Sequence, residues 1–309
     1  MLEKEIFTEE VLKLLLTDRT TGKNIIWAND TETHKATDEI TLADVDSIQP
    51  RRMKTIEEKV KRSKNKAEVF TPSWVCNCQN NLVDDDYLKQ KGLFNKEIPN
   101  GWETNYNKIV FPKGMHWTDY VRSTRLEITC GEAPYLTSRF DAVTGKYIEP
   151  KDRIGLLDRK LRVVSENTFD SLDWMLMSRY AIHSIYGYDF QGDNVFLARK
   201  NLLMTIVEHY KDICKGEEKN ESMFIYFIEA CAEIISWNIW QMDGLRGVVP
   251  FTCSSECKAC KNKDVMKVIK NHDGLQCKIM DWDINSKEIK FVDMMSDETG
   301  TELKKKKKL

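Results

Sequence analysis

Four cysteines between positions 253 and 277 have the type and spacing of zinc ligands. Cys257 and Cys260 form a Cys-x2-Cys pair, in which two thiolates can bind one tetrahedral ion. Cys253 and Cys277 complete the predicted ligand set, and His272 is the alternate fourth ligand. Because sulfur ligands would close the coordination shell, we expect a structural zinc site that holds no water. The alternative is a group of reduced cysteines without metal in a cytoplasmic chain.

A second stretch, from Arg125 to Leu136, has the pattern of a nucleotide-binding turn. A short β-type run with Leu126 and Ile128 is followed by a turn of small residues around Gly131. A strand that ends in a glycine turn before a helix exposes backbone N–H groups at the carboxyl edge of a sheet. Open α/β sheets bind nucleotides at this edge.

This stretch resembles motif I of the S-adenosylmethionine-dependent N6-adenine DNA methyltransferases. The matching residues are Leu126, Cys130, Gly131, Tyr135 and Leu136, and Glu127 stands where the family has aspartate. Ala133 replaces the second glycine of the motif and the proline has moved to Pro134, which alters the surface that a cofactor would approach. The resemblance implies S-adenosylmethionine as a cofactor, with Glu127 and Gly131 among its binding residues.

Phe70-Thr71-Pro72 is similar to motif X of the same family, which lies upstream of motif I. In the family this element packs over the methionine end of the cofactor, so the resemblance implies that all three residues bind it. Thr71 can cap the helix that follows, Phe70 offers an apolar wall and Pro72 suits the first turn. The alternative is an ordinary helix start, with Leu82 among the apolar residues of that helix.

Two further acidic residues follow apolar, strand-like segments. Asp189 ends the segment 184–189, which resembles motif II, where a carboxylate binds the ribose hydroxyls of the cofactor; Asp193 is the alternate. An ionised carboxylate suits this role because it only accepts hydrogen bonds and can take two O–H donors. Asp243 follows the segment 238–242, which resembles motif III and implies a contact with the adenine amino group. Alternatively, Asp243-Gly244 is simply a turn.

The segment from Arg51 to Lys66 is strongly basic and could follow a phosphate backbone. The predicted contacts with DNA are Arg51, Arg52, Lys59, Lys61, Arg62 and Lys64. The alternative is a solvated helix face. The formal net charge of the whole chain is −2, so DNA binding would have to use a local patch of this kind.

Taken together, these motifs predict an α/β fold: a Rossmann-like methyltransferase sheet with a helical insert and a small zinc-binding insert. The expected divisions are an N-terminal helical and basic region (1–64), a cofactor-binding domain (65–250), a zinc-binding insert (251–280), and a C-terminal strand with a basic tail (281–309). Apolar residues at helical spacing predict helices over 154–164 and 171–184. Since no run of about 20 apolar residues occurs, we expect a soluble, cytoplasmic protein with no membrane partner.

The resemblance covers roughly residues 65 to 250 and stops before the catalytic loop of the family, which carries a Pro-Pro pair and holds the flipped adenine. No Pro-Pro pair occurs in this sequence. We therefore expect the S-adenosylmethionine-binding part of a DNA adenine-N6 methyltransferase from a restriction-modification system, inactive alone. Its partners would be DNA and a second polypeptide that carries the catalytic loop or target recognition; a degenerate relative is the other explanation. The alternative function is a non-catalytic, zinc-containing DNA-binding or assembly subunit.

Overall fold

The computed structural model of the chain describes residues 3–31, 33–55, 57, 71–141, 143–214, 221–261, 272–283 and 286–294. Within these ranges the chain is an α/β protein that combines helices with three small sheets. None of the helices found there has both the length and the apolar character needed to cross a membrane.

The secondary structure alternates between helical and strand segments along the chain. The helices, in chain order, are α1 (Glu3–Ile6), α2 (Glu9–Leu16), α3 (Ser73–Leu88), α4 (Trp117–Arg122), α5 (Leu156–Asn167), α6 (Ser171–His183), α7 (Gly192–Ile213), α8 (Glu221–Asn238) and α9 (Phe291–Met294). The strands are β1 (Asn95–Ile98), β2 (Gly101–Thr104), β3 (Arg125–Glu127), β4 (Ile185–Asp189), β5 (Ile239–Gln241), β6 (Lys278–Asp281) and β7 (Lys287–Lys290). Short 3-10 turns lie at Val45–Ser47, Arg51–Met53 and Pro150–Asp152.

The central sheet is parallel, with its strands in the order β3-β4-β5. Leu126 pairs with Tyr186, and Tyr188 pairs with Trp240. Parallel neighbours need long crossover connections, and each crossover here contains two helices, α5 and α6 before β4, and α7 and α8 before β5. The carboxyl ends of β3 and β4 therefore meet at one edge of the sheet.

Successive side chains of β4 point to opposite faces of the sheet, and a different layer covers each face. Ile185 belongs to the main core, which the helices form, whereas Tyr188 belongs to a second core with Ile279 from the C-terminal hairpin β6–β7 and Phe291 from α9. The helices predicted over 154–164 and 171–184 are confirmed as α5 and α6. The sheet is thus covered by helices on one face and, at β4 and β5, by the hairpin on the other.

Helix α3 differs from the sequence-based expectation in the face that it buries. Leu82 is 69% exposed, whereas Asn77, Asn81 and Asp84 are buried. The Asp84 carboxylate accepts hydrogen bonds from Arg159 Nη1 on α5 (2.7 Å) and Arg125 Nη2 on β3 (3.3 Å). The buried face is polar because it takes part in this network, and the network fixes α3 against the strand that leads into the predicted binding turn.

Candidate functional site

A cleft of 870 Å³ lies at the carboxyl ends of β3 and β4. Of the predicted cofactor-binding residues, the structure brings Thr71, Glu127, Gly131 and Asp189 to its walls. Concave sites of roughly 300–1,000 Å³ are typical of small-molecule binding. The cleft therefore has the position and the size of a ligand site in an open α/β sheet.

The turn after β3 forms one wall of the cleft and has an unusual backbone. Thr129, Gly131 and Ala133 all have positive φ angles, of 47°, 54° and 62°. A Cβ on Gly131 would meet no atom within 4 Å, so glycine is favoured there by its backbone conformation and not by lack of space. Thr129 and Ala133 hold a conformation that side-chain-bearing residues rarely adopt, so the surrounding contacts must impose it.

The Asp189 carboxylate holds the near end of this turn. Its Oδ2 accepts a hydrogen bond from the Gly131 N–H (2.9 Å), and its Oδ1 accepts from the Gln191 N–H (2.9 Å) and the Asn194 side-chain amide (3.3 Å). Burial raises the pKa of Asp189 above its ordinary value, although these hydrogen bonds oppose the shift. Asp189 thus joins the end of β4, the start of α7 and the turn after β3.

Glu127 holds the far end of the same turn. Its carboxylate accepts hydrogen bonds from the backbone N–H groups of Tyr135 (3.4 Å) and Leu136 (3.2 Å). Burial raises the pKa of Glu127 well above its usual range, and the nearby Asp189 charge raises it further. Two buried carboxyl groups that interact electrostatically therefore line the cleft.

Side-chain amides complete the support of the turn, and the sequence reasoning missed them. Asn80 on α3 donates to the carbonyl oxygen of Tyr135 (2.9 Å), and Asn201 on α7 donates to that of Glu132 (3.0 Å). Both asparagines line the cleft. The sequence gives no signal for these contacts, because the carbonyl groups that accept from Asn80 and Asn201 are distant along the chain.

The structure describes only two residues of the Phe-Thr-Pro element, Thr71 and Pro72. Phe70 lies outside the described residues, and Thr71 lines the cleft. The predicted capping role of Thr71 is wrong, because α3 begins at Ser73 and the N-cap position is occupied by Pro72. The Pro72 carbonyl oxygen accepts hydrogen bonds from the first turn of the helix, and Pro72 is not among the residues that line the cleft.

Neither Asp243 nor Asp193 lines the cleft. The Asp243 carboxylate accepts hydrogen bonds from the Leu245 N–H (3.1 Å) and from Arg246 Nη1 (3.0 Å), which closes a turn after β5. The structure therefore places Asp243 in the turn that was its alternative interpretation. The Asp193 carboxylate is buried in the first turn of α7, where its Oδ1 accepts from the Asn194 N–H (3.0 Å).

Two of the predicted DNA contacts, Arg51 and Arg52, line the cleft. The Arg51 N–H donates to Glu132 Oε1 (2.6 Å), and the Arg52 guanidinium carbon lies 3.8 Å from the centre of the Phe140 ring. The first two residues of the basic segment therefore lie at the cleft. The other predicted contacts, Lys59, Lys61, Arg62 and Lys64, lie outside the described residues.

The second candidate site is a cluster of Cys253, Cys257, Cys260 and His272, whose potential ligand atoms all lie within 4.8 Å of one another. His272 Nδ1 is 3.6, 3.5 and 3.4 Å from the three Sγ atoms in sequence order. Zinc–ligand bonds of about 2.3 Å to sulfur and about 2.0 Å to nitrogen, at tetrahedral angles, place the two atoms about 3.5 Å apart. This Cys3His cluster could bind zinc, as the sequence predicts.

The composition of the ligand set differs from the prediction at one position. Cys277 does not belong to the cluster: its side chain is fully buried in the second core, and its Sγ donates to the Gln241 carbonyl oxygen (3.5 Å). Burial raises the pKa of Cys277 well above its usual range, as expected for a thiol in an apolar core. His272, the alternate, takes the fourth position.

Contacts of residues 254, 273 and 274 fix the loops that carry the cluster. Ser254 donates to the Asp273 carboxylate through both its N–H (3.1 Å) and its hydroxyl. A Cβ on Gly274 would lie 2.9 Å from Cys253 Sγ, so a larger residue would push against a ligand atom. A backbone hydrogen bond from Asp273 is the main cause of the lowered pKa of Cys257. Such N–H to sulfur contacts favour the thiolate that binds metal.

Comparisons of the chain with protein-family models, with curated proteins and with solved structures found no match. Its possible functions therefore follow from what the cleft and the Cys3His cluster can bind.

Proposed function

We propose that this chain is the S-adenosylmethionine-binding part of a DNA adenine-N6 methyltransferase of a restriction-modification system. The observation that carries the proposal is the hydrogen bond from the Gly131 N–H to the Asp189 carboxylate at the carboxyl edge of the parallel sheet. It joins the turn that resembles motif I to the acid that resembles motif II, on the wall of one cleft.

The free hydrogen-bonding capacity of Asp189 supports a nucleoside ligand. Of its two oxygens, Oδ1 already accepts two hydrogen bonds and Oδ2 accepts one, among the described residues. Each carboxylate oxygen can accept about two, so Oδ2 has room for one ribose hydroxyl. A second hydroxyl could reach Oδ1 if the long 3.3 Å contact from Asn194 gives way.

The charges on the cleft walls also suit this cofactor. Arg51 and Arg52 line the cleft together with Asp189. S-adenosylmethionine carries a carboxylate together with a cationic ammonium and a sulfonium, so both signs of charge would find partners of opposite sign. In this proposal the Cys3His cluster is a closed structural zinc site, not a catalytic one, because four protein ligands leave no open position.

Methyl transfer would need a second component. The adenine must leave the duplex and be held by acceptors for its amino group and by stacking groups. The family supplies these from a loop with a Pro-Pro pair, which this sequence does not contain. The chain would therefore bind cofactor and join a second polypeptide that holds the base.

Photochemical cross-linking tests the proposal at the level of residues. The chain is irradiated with S-adenosylmethionine labelled in its methyl group, and the labelled peptides are mapped. We expect label in residues 125–141 or 186–201, and we expect excess S-adenosylhomocysteine, but not ATP, to suppress it. Label outside the cleft, or equal suppression by ATP, would contradict the proposal.

A non-catalytic DNA-binding or assembly subunit is the second candidate. It is favoured by the Cys3His cluster, since closed zinc sites often have no role but to hold a binding module in shape. Retention of DNA by a folded, zinc-loaded chain that has no affinity for S-adenosylmethionine would select this candidate.

A further inference from the structure

The Cys3His cluster and the cleft are connected by one aromatic contact. Phe190, which directly follows Asp189, lines the cleft. Its ring meets the ring of Phe251 in a T-shaped arrangement, with centroids 5.6 Å apart and planes at 76°. Phe251 lies two residues before Cys253, a member of the cluster. Phe251, which contacts a residue that lines the cleft, is thus two residues away from a candidate metal ligand.

Phe251 holds a backbone conformation that its own residue type disfavours. Its φ is +63°, and its surface is 52% exposed, so burial of the ring does not account for the conformation. A bulky residue in the left-handed region carries a cost that neighbouring contacts must offset. The position of the ring therefore depends on what fixes the residues that follow it.

The segment after Phe251 is fixed by hydrogen bonds and by the cluster. Thr252 donates to the Val249 carbonyl oxygen through its N–H (3.3 Å) and its hydroxyl (2.6 Å), and its Oγ1 accepts from the Leu275 N–H (3.0 Å). Cys253 then packs against Gly274 with no room for a side chain there. A metal ion bound by both Cys253 and His272 would join the two segments that carry these residues through its coordination bonds.

Phe190 is held by its backbone more than by its ring. Its carbonyl oxygen accepts a hydrogen bond from Gln241 Nε2 (2.9 Å), whereas its side chain is only half-buried. The ring can therefore change position if its aromatic partner moves. Phe190 lies directly between Asp189 and Gln191 in the chain, and all three residues line the cleft.

We propose that metal binding at the Cys3His cluster holds Phe251 against Phe190, and that the metal-loaded chain therefore binds the cleft ligand more tightly than the metal-free chain. Phe251 is the positioning residue of this link. Because coupling between two sites is reciprocal, the cleft ligand raises the affinity for the metal by the same factor. The identity of the ligand rests on the proposed function, whereas the link between the two sites does not.

Hydrogen–deuterium exchange tests the link without any ligand. We expect the amides of residues 189–194 to exchange at least about 3-fold faster after a chelator removes zinc, and in zinc-loaded Phe251→Ala. Residues 156–167 in α5 serve as an internal control, because their exchange should not change unless the whole chain unfolds. Unchanged exchange at 189–194 in Phe251→Ala, with zinc bound, would overturn the proposal.

Titration with S-adenosylmethionine measures the size of the effect. We expect the zinc-loaded chain to bind about 2- to 10-fold more tightly than the metal-free chain, the range that one aromatic pair provides. Phe251→Ala should bind like the metal-free chain even with zinc, and Phe251→Tyr should restore binding. Cys260→Ser should lose the metal effect, whereas Cys78→Ser, a cysteine outside the cluster, should keep it.

The two tests separate this link from the proposed function. If no form binds S-adenosylmethionine but exchange at 189–194 still responds to zinc and to Phe251→Ala, the proposed function fails and the link stands. If S-adenosylmethionine binds equally to both forms and exchange does not respond, the link fails and the proposed function stands.

Discussion

Glu127 and Asp189 hold opposite ends of the same turn. Asp189 accepts from the Gly131 N–H, and Glu127 accepts from the N–H groups of Tyr135 and Leu136, so the turn is anchored by the ends of two neighbouring strands. Of the three residues with positive φ in this turn, Gly131 is itself an anchor, Ala133 lies between the anchors, and Thr129 lies just before them. The turn is therefore set before any ligand arrives, which lowers the ordering cost that a ligand would otherwise meet.

The raised pKa of Glu127 makes its contribution to stability depend on pH. Its pKa in the folded chain lies well above the ordinary 4.5, so the native state binds the proton more tightly than the unfolded state. The stability that this provides is present below about pH 4.5 and decreases as the pH rises through the raised pKa. Urea unfolding at several pH values should therefore show a steeper loss with rising pH for the parent than for Glu127→Gln. Parallel curves for the two chains would show that this carboxyl is not perturbed.

His183 gives a pH dependence of the opposite sign. Burial lowers the pKa of this residue to about 4, and its ring stacks on Trp282 with centroids 4.4 Å apart. The native state binds the proton less tightly than the unfolded state, so stability is full above about pH 6.5 and is lost as the pH falls towards 4. His183→Phe keeps an aromatic ring against Trp282 without a titrating group. We expect the free energy of unfolding of this variant to fall less than that of the parent between pH 6.5 and 4, and an identical fall would refute the assignment.

The identity of the fourth metal ligand can be tested by substitution. The chain should bind one zinc ion, and cobalt in its place should give the intense visible absorption of a tetrahedral thiolate site. His272→Ala should weaken metal binding by at least about tenfold, since it removes one of four ligands. Cys277→Ala should retain one metal ion per chain, because Cys277 lies apart from the cluster. Loss of metal in Cys277→Ala and not in His272→Ala would restore the ligand set that spacing alone suggested.

The purified chain alone should transfer little or no methyl group to DNA. The expectation rests on the proposed function: this sequence contains no Pro-Pro pair, which in the family that it resembles belongs to the loop that holds the flipped adenine. Incorporation of labelled methyl groups into adenine-containing duplexes measures this directly. Robust transfer by the chain without a partner would show that its own residues complete the acceptor site.

The helices and strands around the cleft could be predicted because their burial follows simple periods. Leu157, Leu161 and Val164 on α5 recur at helical spacing, and all three are fully buried. The short apolar segment before Asp189 was recognisable as a strand, and Ile185 and Tyr188, an odd number of residues apart on β4, face opposite layers. The approach of Asp189 to Gly131 then follows from parallel pairing, which brings strand ends to one edge.

The buried face of α3 could not be predicted from hydrophobic periodicity. The residues that it buries include Asn77, Asn81 and Asp84, whose partners Arg125 and Arg159 are distant in sequence. A polar face is buried only when such partners exist, and a single segment does not reveal them. For the same reason, Asn80 and Asn201 gave no sign of their contacts with the turn.

The exchange of Cys277 for His272 has a similar cause. Both residues lie at plausible distances along the chain from Cys257 and Cys260. The tertiary structure distinguishes the two residues. Cys277 directly precedes β6 and its side chain is buried in the second core, whereas His272 lies five residues earlier, outside that core. Asp243 likewise closes its own turn with Arg246, an outcome that a short motif could not distinguish from a cofactor contact.

A calorimetric titration of the zinc-loaded chain with S-adenosylmethionine tests the central claim most directly. We expect saturable binding of one cofactor per chain, most of which is lost in Asp189→Ala and kept in Asp86→Ala, whose substituted side chain is 84% exposed on α3 in the parent. Circular dichroism of each sample establishes that the variants are folded. No saturable heat from the folded parent, or equal binding by Asp189→Ala, would contradict the assignment of the cleft to this cofactor.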